Sequence, residues 1–284
     1  RRLHTGQHGV DAALVDVAHV AALVGAFDQQ FGQLAVLEDG DPGFVGIGVD
    51  DDGLLHASTS GRPLPDGPID LETAEVRNLR VVVMSRQLNQ PWSIAFLPDG
   101  AILVTERPGR LRIFRNGVLD PAPVAGVPPV RASALQGLMD VVLHPRFTEN
   151  KLIYLSYHRP LGTPVVPANG RGGAVAPAGE TVLARGTWDG KALTNVTDIF
   201  ESGATGTESS RIAFGRDGML YMTISAPGTG PQVVRSQDPG DYAGKTIRLR
   251  DDGTVPPDNP FVGRAGFKPA IFTLGHRNGH SLQV

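Results

Sequence analysis

Residues 205–218 read TGTESSRIAFGRDG, a run of hydroxyls and one carboxylate set ahead of a strand-like segment. A proton-abstracting site that works near neutral pH is most simply built on histidine, which is largely neutral there and accepts a proton without a large pKa shift. This run contains none. The hydroxyl of Thr207 is no general base at that pH, and Glu208 would serve only if burial raised its pKa. Imidazoles occur instead in GHRNGH, residues 275–280, where His276 and His280 flank Arg277 and Asn278. Cysteine is absent, which removes disulfides, thiolate metal sites and cysteine nucleophiles. The Asp-Gly pairs at 99–100, 217–218 and 252–253 read as turns rather than metal loops, because Gly tolerates positive φ.

The elements that must position these residues are written by repetition. PWSIAFLPDG at 91–100 returns as SRIAFGRDG at 210–218, and GLMDVVLHPRF at 137–147 is a third version. Each opens a series of short apolar runs separated by turn residues, which predicts antiparallel meanders. Aligning Phe96, Leu143 and Phe214 gives a repeat of roughly 40 to 50 residues, the pattern of a β-propeller blade. The last interval is lengthened by an insertion at about 159–180, rich in Gly, Pro and Ala, which reads as a surface loop.

Composition agrees with a globular chain. Of 284 residues, 40% are apolar and 19% charged, enough to bury a sizeable core. The net charge of -3 argues against nucleic acid or an anionic membrane as main partner, since both need a concentrated basic face. No run is long and apolar enough for a transmembrane helix. Residues 10–27 fit an amphipathic helix, and no signal peptide is visible. Residues 1–75 lack the repeat and read as a leader or extension, leaving 76–284 as the propeller.

From about Arg80 onward the chain resembles the soluble pyrroloquinoline quinone (PQQ)-dependent glucose/sorbosone and aldose sugar dehydrogenases. The residues that carry the resemblance are QPWSIAFLPDGAILVTERPGRLRIF (90–114), GLMDVVLHPRFTENKLIYLSY (137–157), RIAFGRDGMLYMTI (211–224), GKTIRLRDDGTVPPDNPF (244–261) and TLGHRNGHSL (273–282). The resemblance implies an all-β, six-bladed β-propeller of four-stranded antiparallel blades, oxidation of an aldose or related alcohol, PQQ with calcium, an external electron acceptor, and a periplasmic or secreted location. It implies that Arg277 and Asn278, with Gln136, contact the cofactor, whose carboxylates suit Arg forks and amide donors.

It also implies a catalytic histidine four residues before Arg211, where this sequence has Thr207. Ser210 likewise stands where the family has Gly, and Ser225-Ala226 replaces a Gly-Asp. Glu208, His276 and His280 are the candidate substitutes. A propeller without the base, acting as a sugar-binding or protein-interaction module, is the alternative. The length from Val76 leaves room for three blades and the first strand of a fourth, so a C-terminally truncated ring is expected, and no metal ligand is named.

Overall fold

The computed structural model describes residues 34–38, 45–46, 68–71, 79–133, 135–162, 178–226, 230–277 and 279–283. The helix read at 10–27, most of the insertion at 159–180, and Asn278 lie outside the described residues. The chain divides into two compact units, Arg1–Pro91 and Trp92–Val284.

The first unit holds β1 (Leu34–Glu38), β2 (Val45–Gly46), β3 (Ile69–Leu71) and β4 (Leu79–Ser85). They form one sheet in the order β2-β1-β4-β3. The sequence reading found no strand ahead of residue 76. Three are there, two of them only two or three residues long, and β4 pairs with β1 across a long interval that leaves no local signature.

The second unit is all-β and consists of three four-stranded antiparallel meanders in chain order. The first comprises β5 (Pro91–Phe96), β6 (Ile102–Glu106), β7 (Arg110–Arg115) and β8 (Val118–Leu119). The second comprises β9 (Leu138–Leu143), β10 (Leu152–Pro160), β11 (Gly179–Trp188) and β12 (Leu193–Thr205). The third comprises β13 (Ile212–Phe214), β14 (Leu220–Ile224), β15 (Lys245–Leu249) and β16 (Ile271–Leu274). Phe96, Leu143 and Phe214 each end the first strand of a meander, so the repeat alignment is in structural register. The insertion joins β10 to β11, which stay paired out to Pro160 and Gly179.

One expectation is corrected. The first strand of a fourth repeat is not found among the described residues: 271–274 pair with β15 and complete the third sheet, and residues 279–283 are in no strand.

Turn chemistry closes these hairpins. The carboxylates of Asp99, Asp217 and Asp252 each accept the backbone N–H two residues on, from Ala101, Met219 and Thr254. The intervening Gly then takes positive φ, as local turn sterics require.

The sheets pack face to face, and the middle one shows how. Ile153, Leu155 and Tyr157 of β10, with Val182 and Ala184 of β11, pack into a core shared with the first meander. Tyr154 and Leu183 point the other way, into a core shared with the third. Alternation with a period of two thus buries both faces of the middle sheet.

Candidate functional site

The repeat alignment that matches the strand ends also matches Ser93, Asp140 and Arg211, each three residues before the end of its first strand or the equivalent place. These three side chains meet. Ser93 Oγ donates to Asp140 Oδ1, and the Arg211 guanidinium lies 3.7 Å from the same oxygen. Asp140 Oδ1 also accepts the Val141 N–H at 3.0 Å, while Oδ2 accepts the Ile212 N–H at 2.7 Å. One buried carboxylate therefore ties together the first strands of all three meanders. Leaving such a charge without its partner would cost roughly 3–5 kcal/mol.

Each second strand also carries a hydroxyl facing this set, Thr105 and Thr223 as the fourth residues of β6 and β14 and Ser156 as the fifth of β10. Each accepts the backbone N–H of its neighbour in the set, from Ser93 at 2.9 Å, Asp140 at 3.1 Å and Arg211 at 2.9 Å. In the second meander this coincides with a register break in the ladder between Leu155 and Tyr157. A side-chain oxygen replaces a backbone carbonyl at the matching place in all three sheets.

Around this junction the structure gathers four segments. Gln136 precedes β9, and its amide Nε2 donates to the Thr207 carbonyl at 2.5 Å. Gln136 and Thr207 occupy equivalent places in the repeat, each seven residues ahead of the strand end. The 205–211 segment is held by Ser225, whose Oγ accepts the N–H groups of Glu208 at 2.8 Å and Ser209 at 2.9 Å. Ala226 N–H donates to the Arg277 carbonyl at 2.6 Å, which brings the 275–280 segment alongside. Two further carbonyls of that segment are fastened: Thr223 Oγ1 donates to Gly279 at 3.0 Å, and Arg211 Nε donates to His280 at 2.9 Å.

Thr207 is fully buried and its hydroxyl is turned inward. It shares a hydrogen bond with Thr181 Oγ1 at 2.6 Å and donates to the Ala204 carbonyl at 3.3 Å. Thr181 in turn stands 3.4 Å from Nε2 of His158, a fully buried histidine the sequence reading passed over. Desolvation pulls the His158 pKa down to about 4. The ring is a neutral packing group tied to Gly137, whose N–H donates to its Nδ1 at 3.2 Å.

The other candidates separate. His276 is exposed and its Nε2 is engaged by Thr273 Oγ1 at 2.7 Å, on its own hairpin. His280 is half-buried, with its ring 6.1 Å from that of Trp92. The Arg211 guanidinium lies over the same indole at 5.2 Å. Burial and the positive charge of Arg211 push the His280 pKa below the ordinary value, while the Glu208 carboxylate opposes them. Arg277 is exposed.

Several buried polar atoms here have no hydrogen-bond partner: Trp92 Nε1, Ser209 Oγ, Ser210 Oγ and Gln136 Oε1. Three of the four are donors or hydroxyls next to the junction, and unmet buried donors of this kind suit an anionic ligand. Among the described residues no group of three or more His, Cys, Asp or Glu side chains is placed to hold a metal ion, so no residue is assigned to calcium. Nor is any helix among them long and apolar enough to cross a membrane.

The profile of the Glucose / Sorbosone dehydrogenase family matches residues 88–284. A protein of Synechocystis with no assigned activity is 37% identical over 237 residues, covering 77% of this chain and 54% of that one. The aldose sugar dehydrogenase of Escherichia coli is 34% identical over 211 residues, covering 72% of this chain and 53% of that one. The solved PQQ-bound form of aldose sugar dehydrogenase from Streptomyces coelicolor superposes with a TM-score of 0.53 at 27% identity, covering 67% of this chain and 52% of that one. The chain spans about half the length of the curated relatives it matches.

Proposed function

The chain belongs to the glucose/sorbosone dehydrogenase family, and from that premise we propose that it is part of a sugar dehydrogenase that uses pyrroloquinoline quinone to oxidise an aldose or related alcohol. The observation that carries this reading is the set of unbonded buried donors, Trp92 Nε1, Ser209 Oγ and Ser210 Oγ, beside the junction of the three first strands. A quinone bearing several carboxylates is the kind of ligand that such donors satisfy. The solved PQQ-bound relative supports the choice of cofactor.

In this reading Arg277 and Asn278 grip the cofactor by charge-assisted hydrogen bonds. Gln136 acts at one remove, because one N–H of its amide is already committed to the Thr207 carbonyl and its oxygen is unbonded. When bound, the quinone supplies a two-electron oxidant. The chain's own residues orient the sugar, shield the site from water and accept the hydroxyl proton. Calcium, an external electron acceptor, export to the periplasm or beyond, and closure into a six-bladed ring belong to the same proposal.

Titrating PQQ with calcium into the chain and its Arg277→Ala variant, followed by quinone absorbance, tests this reading. Saturable binding weakened about tenfold or more in the variant, the loss expected for removing a charge-assisted bond, is the predicted outcome. Absence of binding to the unaltered chain would defeat it.

A further inference from the structure

The position at which the resemblance expects a base is closed off. Thr207 is fully buried, with its hydroxyl spent on Thr181 and Ala204. No rotation of that side chain supplies a proton acceptor, since a threonine hydroxyl remains protonated near neutral pH. If the site abstracts a proton, another group on the same surface must do so.

Only one imidazole among the described residues stands at this junction without being enclosed or tied to its own hairpin. His158 is sealed behind Thr181, His144 is wedged between Tyr154 and Phe214, and His276 is bonded to Thr273. His280 is half-buried, and the carbonyls of Gly279 and His280 are both fixed, by Thr223 and by Arg211. A Cβ on Gly279 would sit 2.7 Å from the Thr223 Cβ, so the backbone lies flush against β14 and the adjoining ring is held in place. Trp92 flanks the ring on one side.

We propose that His280, paired with Glu208, accepts the sugar's hydroxyl proton in place of the base that Thr207 cannot provide. The inference rests on the quinone reading above. In the step, the O–H bond breaks and its proton goes to a ring nitrogen of His280. The hydrogen on the same carbon leaves with both electrons of its bond to the quinone oxidant, and a C=O bond forms.

The charged groups facing His280 are Arg211, itself 3.7 Å from Asp140, and Glu208. Burial, helped by Arg211, disfavours the charged ring before the reaction, and Glu208 favours the imidazolium that forms. This division resembles other base-carboxylate pairs in which the carboxylate is not itself protonated.

The test begins without cofactor. Histidine Cε1–H signals of the isotope-labelled chain are followed against pH, with the His280 signal identified by its loss in His280→Gln. The expected midpoint lies below that of a free histidine and falls further in Glu208→Gln, because that change removes the opposing negative charge. A midpoint that Glu208→Gln leaves in place overturns the pairing.

The second arm loads PQQ and calcium and follows quinone reduction by D-glucose in a single turnover across pH. The unaltered chain should accelerate as pH rises through the His280 midpoint. His280→Gln should bind the quinone normally, react on the order of 100-fold more slowly and lose that pH limb. A His280→Gln chain that binds quinone and keeps the rate or the limb overturns this inference alone. Failure of the unaltered chain to bind quinone overturns the quinone reading, and this step falls with it.

Discussion

Asp140 and His158 sit on neighbouring strands of the same meander and meet burial in different ways. Both carboxylate oxygens of Asp140 are satisfied, by Ser93, Val141 and Ile212, with Arg211 alongside. His158 has only neutral neighbours in hydrogen-bonding contact, so desolvation holds its pKa at about 4 against 6.5 for a free histidine. The unfolded chain therefore binds this proton near pH 6.5, while the folded chain resists it until about pH 4. The stability that depends on a neutral ring is present above about pH 6.5 and lost as pH falls toward 4, by about 3 kcal/mol in all. Urea unfolding of the unaltered chain and His158→Gln across that range should give a steeper acid loss for the former, and parallel curves would show the ring is not responsible. Neither environment was legible beforehand. Sequence identifies an aspartate inside an apolar run, but not that its partners arrive from strands about 50 and 70 residues away.

At the scale of elements, turns and strands were legible because their causes are local. Alternating apolar residues and Asp-Gly pairs predicted the hairpins, and the Asp carboxylates do accept the N–H groups that close them. The short outer strands Val118–Leu119 and Ile271–Leu274 were missed, since two to four residues carry too little periodicity. What surrounds a turn was equally hidden. Gly100 and Gly253 share positive φ, but a Cβ on Gly100 would meet nothing within 4 Å, whereas on Gly253 it would lie 2.1 Å from the Ile199 carbonyl of β12. Gly100→Ala should cost about 1 kcal/mol from backbone strain alone. Gly253→Ala should cost roughly 1–3 kcal/mol more, because the neighbouring sheet must shift to admit the methyl group. Chemical denaturation of the two variants reads this difference directly, and equal losses would show that the sheet-to-sheet contact there is slack.

For the second unit as a whole, the middle meander is the shared wall of two cores, so its substitutions should act on one neighbour or the other. Leu183→Ala removes packing from the side facing the third meander and should destabilise by about 3 kcal/mol. Hydrogen exchange should then speed in β13–β15 more than in β6 and β7, while Val182→Ala, on the other face, should do the reverse. Uniform acceleration in both would mean the three sheets open only together. The sequence by itself determined the all-β class, the threefold phrase, the register of its strand ends and the family, because each is carried by short-range pattern or by ordered blocks of residues. Only the tertiary structure decided that Ser93, Asp140 and Arg211 converge, that the Thr207 hydroxyl turns inward to Thr181, and that His280 lies beside Trp92 and Arg211. Those outcomes depend on how stacked sheets bring distant segments together, and no local propensity specifies which face of a loop will be left open to a ligand.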